Sequence, residues 1–248
     1  LKGKSLLQVL IILCSMSAPF IGAYAWIVLM GRSGIFTKLL GGIGIKVGSI
    51  YGFKGILLVL TLQLFPLVFL YTCGALKNID NSLLEASINM GRSGTKMFLT
   101  VVIPLCMPTI IAAALLVFMR AFADFGTPLL IGEGYKTFPV IIYDAYFAET
   151  GGDRMFGATV SIIGIIITAG IFLIQNYFSN RHKFTMNAMH TIERKQAHGL
   201  KNILINVYSW FVVALAFMPQ VYVIYSSFQK TSGKLFVPGY SLDSYRFA

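Results

Sequence analysis

The sequence predicts an all-α polytopic membrane protein. Three observations predict it. Hydrophobic residues make up 56% of the 248-residue chain and charged residues only 12%, against roughly 25% charged in ordinary soluble domains. Five uncharged intervals each match the ~20 apolar residues that carry a helix across ~30 Å of hydrocarbon. The apolar runs also lack the alternation of a barrel strand, as IIAAALLVFM at Ile110–Met119 illustrates.

The five intervals cover residues 5–31, 55–76, 97–119, 155–180 and 202–229. In hydrocarbon every backbone N–H and C=O must be paired within its own segment, so uninterrupted apolar runs of this length read as helices. Pro19 in the first span and Pro66 in the second each remove a backbone donor, which predicts a kink at each. The loop 32–54 contains GGIGIKVGSIYGFKG at 41–55, too glycine-rich for a span and expected to be irregular or a short amphipathic segment. Residues 126–154 hold four of the nine acids, Glu133, Asp144, Glu149 and Asp153. The apolar stretch FPVIIYDAYF in that loop predicts a short helix at the outer surface.

Net charge is +11. In a soluble protein that balance would raise nucleic-acid binding; here it is spread over short loops beside lipid headgroups, so the expected partner is membrane lipid and not nucleic acid. Alternate loops share a side, and ten basic residues fall on each side, so the positive-inside rule does not set the orientation. Cys14, Cys73 and Cys106 lie inside apolar spans without a C-x-x-C pair and read as reduced packing residues, implying neither a disulfide nor a metal.

The most informative polar stretch is residues 77–96, between the second and third spans. Ser82-Leu83-Leu84-Glu85 matches a capping box and predicts a helix starting near Ser82. Leu83, Leu84, Ala86, Ser87 and Met90 follow, then Gly91, which can take the left-handed conformation that ends a helix. A second helix is predicted to begin around 93–95 and to run into the third span, with Pro104 and Pro108 in its opening turns. Taken singly, Glu85 and Gly91 need be no more than a cap and a stop.

Taken together, the spacing resembles the EAA loop of permease subunits of ATP-binding-cassette importers. The family pattern is E-A-A, three residues, G, nine residues, I-x-L-P. Here it reads Glu85-Ala86-Ser87, then Gly91, then Val101-Val102-Ile103-Pro104, departing at Ser87, Val101 and Ile103 by small changes of similar character. The resemblance implies a type I importer permease fold in the bacterial inner membrane, with this loop cytoplasmic. It also implies that Ser82, Glu85, Ala86, Ser87, Gly91 and Pro104 belong to the coupling element that seats on an ATPase subunit. A short helix anchored at both ends can be pushed as a unit, and glycine allows the sharp turn at low strain.

Residues 1–200 resemble the first half of a fused two-half permease of the ferric-iron importer type, through AYAWIVLMGRSG at 23–34, LQLFPLVFLYTCGALKNID at 62–80 and ADFGTPLLIG at 123–132. Permeases for polyamines, thiamine, sulfate and aminoethylphosphonate share fragments of these. Residues 201–248 resemble the start of the second half; beginning at Leu1 and stopping at SLDSYRFA, the chain is expected to be an internal piece of a longer polypeptide. The partners implied are ATPase subunits, an extracytoplasmic solute-binding protein and a second permease half, fused or separate.

Arg120 and Asp124 are the ionisable pair that invites a functional reading. Counting from Val101 to Arg120 gives about 28 Å of helix, so both are expected at the far interface, able to pair at i, i+4. With Phe125 and Gly126 they are candidates for an outer gate. Tyr143, Asp144 and Tyr146 could meet an arriving binding protein, or form an ordinary aromatic belt. His182, His190 and His198 are spaced eight apart in a polar linker and not at i, i+4, so they do not form a ligand set. No G-x-x-x-x-G-K-[ST] occurs, so ATP must act through a partner. No catalytic constellation and no cofactor motif is present, and the chain is not expected to be an enzyme. Two other readings stay open: an ion-coupled secondary carrier, disfavoured because no acid sits in mid-span, and a non-transporting membrane scaffold.

Overall fold

The structure, a computed structural model, describes residues 3–16, 18–44, 48–148, 152–181, 199–232 and 235–246. As the sequence predicts, the chain is built from helices, and five helical segments are long and apolar enough to cross a membrane. In chain order the helices are α1 Lys4–Ser15, α2 Pro19–Met30, α3 Ile35–Gly42, α4 Phe53–Lys77, α5 Asn81–Asn89, α6 Gly94–Met97, α7 Ile103–Phe122, α8 Gly126–Ile131, α9 Phe138–Phe147, α10 Arg154–Arg181, α11 Leu200–Ser227 and α12 Asp243–Arg246. A π-helical turn, Phe98–Val102, joins α6 to α7. Strands β1 Gln229–Ser232 and β2 Leu235–Tyr240 pair antiparallel after α11, an element that the apolar pattern did not announce.

The first span needs correction. Residues 5–31 do not form one kinked helix: α1 ends at Ser15 and α2 starts at Pro19. Proline lacks the N–H that would continue the ladder and its ring opposes a preceding helical turn, whereas at the first helical position the missing donor costs nothing. The twelve residues of α1 extend about 18 Å, well short of a bilayer core. The segment of spanning length begins instead at Pro19 and reaches Gly42, with α3 occupying part of the expected loop 32–54. Pro66 behaves differently, since α4 runs through it unbroken. The stretch FPVIIYDAYF is helical, as α9.

The chain divides into two compact units. One contains Leu1–Gln63, Gly126–Tyr135 and Ile203–Ala248; the other contains Leu64–Phe125 and Lys136–Asn202. In the first, α2 carries the small residues Gly22, Ala23 and Ala25 on its buried face, which lets α8 approach it. Gly126 makes that approach possible, because a Cβ there would lie 3.1 Å from the Phe20 ring. Ala23, Trp26, Ile50, Ile56, Val59 and Ile131 form the core. The Gly52 N–H, at φ +88°, closes it by donating to the Ile131 carbonyl at 2.8 Å.

In the second unit α10 packs on α9 and α7. Gly164 is the notch in which Phe138 sits: a Cβ would fall 2.3 Å from the ring. Small residues at a helix crossing are how apolar helices pack closely when hydrophobicity alone cannot drive them together. Ile162, Ile163, Ile165, Ile166, Phe172 and Leu173 of α10 remain exposed. Water would penalise that face; hydrocarbon would not.

Candidate functional site

The hairpin between α4 and α7 is built from three local devices. The first is the start of α5. The predicted cap at Ser82 is corrected: the cap is Asp80, whose Oδ1 accepts from the Ser82 N–H at 3.0 Å. Ser82 therefore lies inside the helix. Asp80 wins because its backbone is extended, φ −77° and ψ 136°, with its carboxylate aimed at the free amides of the first turn. Glu85 does not return to the cap; its Oε1 accepts from Asn81 Nδ2 at 2.7 Å, a side-chain bond one helical turn apart.

The second device is the end of α5. Gly91 adopts φ +78°, its N–H donates to the Ile88 carbonyl at 2.9 Å, and the Arg92 N–H donates to the Ser87 carbonyl at 3.0 Å. These are the paired bonds of a Schellman motif, which satisfy carbonyls that the helix end would leave orphaned. A Cβ on Gly91 would meet nothing within 4 Å. Glycine is thus required here by backbone conformation and not by space.

The third device is the entry to α7. Pro104 cannot donate to the carbonyl four residues back and its ring crowds that position. Ahead of it the helix widens into the π turn, in which the Ile103 N–H reaches the Phe98 carbonyl five residues back. The Thr100 hydroxyl folds back to donate to the Lys96 carbonyl at 2.8 Å, supporting the wider turn.

Anchoring comes from residues outside the sequence pattern. Leu84 is buried with Ile79, Val102 and Cys106, against Ala75 and Leu76 at the end of α4 and Met97, Val101, Leu105 and Ile110 beyond the turn. Both arms of the hairpin thus share one core. Asp80 and Ile79 were not singled out from the sequence, although Asp-Asn-Ser at 80–82 is itself a cap signal. Ser87 is buried at 6% exposure, and its Oγ has no hydrogen-bond partner among the described residues. Ile88 and Met90, by contrast, are 50% and 76% exposed at the tip, two apolar side chains among exposed Ser82, Glu85, Ala86, Asn89, Gly91 and Arg92.

The residues of the other candidate group differ in exposure. Arg120, near the end of α7, is exposed, whereas Asp124 in the turn after it is buried at 9% exposure. The Phe125 ring lies 5.1 Å from that of Tyr143, which in turn meets Phe147 at 5.1 Å. Gly126 belongs to the first unit and the other three residues to the second. Lys136 pairs with Asp144 at 2.8 Å, and Arg32 with Glu133 at 2.5 Å, both on exposed side chains. A cavity of about 530 Å³ is lined by apolar residues of α1, α2 and α11, such as Leu10, Leu29, Val213 and Phe217, and by none of the four gate candidates. Among the described residues no group of three His, Cys, Asp or Glu side chains could hold a metal ion. His182, His190 and His198 lie outside the described residues. Cys14 and Cys106 are buried free thiols and Cys73 is partly buried.

The model of a family described as binding-protein-dependent transport system inner membrane component matches residues 2–183. A ferric transport system permease protein of Actinobacillus pleuropneumoniae is 31% identical over 179 residues, covering 71% of this chain and 26% of that protein. A molybdenum transport system permease protein of Haemophilus influenzae is 31% identical over 185 residues, covering 72% of this chain and 79% of that protein. The molybdenum transport system permease protein of Escherichia coli K12 is 28% identical over 183 residues, covering 71% and 78%. The chain spans a third or less of the ferric-type permeases it matches, 33% in one and 26% in another.

Proposed function

Because the chain belongs to the family of binding-protein-dependent transport system inner membrane components, we propose that it forms part of the solute path of an ATP-binding-cassette importer and that its α5 hairpin is the element an ATPase subunit pushes. The observation that carries this reading is the contrast within the hairpin. One face is pinned into the Ile79–Leu84–Val102–Cys106 core, while Ile88 and Met90 project uncovered at the tip. A displacement delivered to that tip is passed to α4 and α7 through packed side chains, because both ends of the short helix are fixed by closed hydrogen-bond motifs. Ser82, Glu85, Ala86, Ser87, Gly91 and Pro104 are the residues of this coupling element.

The remaining parts of the assembly follow from that role. An extracytoplasmic binding protein delivers the solute, and a second permease half completes the path. Residues 201–248 read as the beginning of that half, supported by a family match that ends at residue 183, ahead of α11. Ferric iron is the solute we favour, from the names of the ferric relatives. The molybdenum relatives, which this chain matches over most of their length, support an oxyanion as the second reading. Asp124 is the outer-path residue whose setting supports a role, since it is a buried ionisable group in a strongly apolar chain; Arg120, Phe125 and Gly126 flank it.

The test is to express the full polypeptide with its ATPase and introduce Met90→Cys for crosslinking. Crosslinks to the ATPase, together with ATP-dependent uptake of Fe(III) and not of molybdate, are expected. Labelling of that cysteine from outside the cell, or ATPase binding that survives disruption of residues 82–96, overturns the coupling role.

A further inference from the structure

The break between α1 and α2 poses a local problem. The last carbonyls of a helix have no partner along the chain, and here they end in apolar surroundings: Cys14 is 2% exposed and borders a small cavity with Trp26, Val59 and Leu62. Three carbonyls of the last turn are satisfied in three different ways. The Leu13 carbonyl accepts from the Met16 N–H at 3.1 Å, and the Ile12 carbonyl accepts from the Ser15 hydroxyl at 2.7 Å. The Cys14 carbonyl accepts from Gln220 Nε2 of α11 at 3.3 Å, across 206 residues of sequence.

We propose that Gln220 is the positioning residue that completes the interrupted first segment, so that α11, which lies beyond the family-matched residues 2–183, is a structural partner of α1. Three observations support it. A glutamine in an apolar helix is costly unless it is bonded, and Gln220 directs an N–H to a carbonyl that the break has freed. Its Oε1 is buried with no hydrogen-bond partner among the described residues, so the bond to the Cys14 carbonyl is what orients the amide. Gln63, ten residues into α4, lines the same small cavity, so two amide side chains border it among otherwise mostly apolar neighbours. The inference does not depend on the solute or on the ATPase.

Cys14 reports on the latch directly, because it sits at the bond. In the full-length protein assembled in membranes, with Cys14 as the sole cysteine, the rate of alkylation by N-ethylmaleimide measures how often the α1 end opens. Gln220→Leu, similar in volume but unable to donate, is expected to label several-fold and up to about tenfold faster than wild type, the population shift that one net hydrogen bond supplies. Gln220→Glu assayed at acidic pH, where its neutral carboxyl can donate an O–H to the same carbonyl, is expected to return the slow rate measured for wild type at that pH. Labelling of Gln220→Leu at the wild-type rate overturns the proposal. So does Gln220→Glu labelling at acidic pH as fast as Gln220→Leu, since rescue by a donor is what separates a hydrogen bond from mere packing.

Discussion

The Arg92 N–H donates to the Ser87 carbonyl at 3.0 Å across Gly91. This bond turns the end of α5 into a closed motif and fixes the direction in which the chain leaves for α6 and α7. Because the space beside Gly91 is open, any cost of substitution there is conformational. A residue with a Cβ held in the left-handed region costs about 1–2 kcal/mol, less for asparagine. Gly91→Val is therefore expected to abolish ATP-dependent uptake in reconstituted vesicles while membrane insertion persists, and Gly91→Asn to retain much of it. Uptake by Gly91→Val equal to wild type would show that the turn is dispensable.

The cap assignment separates two neighbouring residues. Loss of a side-chain N-cap costs about 1 kcal/mol, so Asp80→Ala is expected to lower the thermal stability of the detergent-solubilised protein and to speed proteolysis within residues 77–96. Ser82→Ala, a change inside the helix, is expected to leave both nearly unaltered. The reverse order would return the cap to Ser82.

Ser87 offers a change in the opposite direction. A buried hydroxyl without a partner carries a desolvation penalty of about 1–3 kcal/mol that an apolar replacement removes. Ser87→Ala, which also brings the loop closer to the E-A-A pattern it resembles, is expected to raise the melting temperature or leave it unchanged, with uptake preserved. A marked loss of stability would mean that the hydroxyl is bonded in the assembled protein.

Leu84 carries the anchor. Truncating a buried leucine costs roughly 2–5 kcal/mol, and here the loss falls where α5 meets Val102 and Cys106. Leu84→Ala is expected to leave ATPase binding measurable by co-purification while reducing uptake per ATP hydrolysed. Equal stoichiometry in mutant and wild type would argue against mechanical transmission through this core.

The α9–α10 contact is set by one absent methyl. Gly164→Ala places a Cβ into the Phe138 ring, an overpacking worth about 1–3 kcal/mol, and should lower the melting temperature. Phe138→Leu in the same molecule should restore part of it, and failure of the pair to compensate would locate the strain elsewhere.

The amino-acid sequence sets the class of the molecule: long runs without charge and without strand alternation leave helices as the solution in hydrocarbon, and four of the five runs give a spanning segment where expected, while residues 5–31 yield instead to Pro19–Gly42. It also located the hairpin, because Gly91, Pro104 and the acid-rich cap region act through local backbone chemistry that needs no distant partner. Tertiary structure alone decided what those elements lean on. Pro19 predicts a disturbance in residues 5–31 but not what meets the freed carbonyls, and the donor to the Cys14 carbonyl comes from Gln220, far along the chain. The burial of Ser87 and the notch at Gly164 likewise turn on which surface a neighbouring element covers, whereas the choice of Asp80 over Ser82 as cap is local. Periodicity records that a face is apolar; it carries no record of which other face meets it.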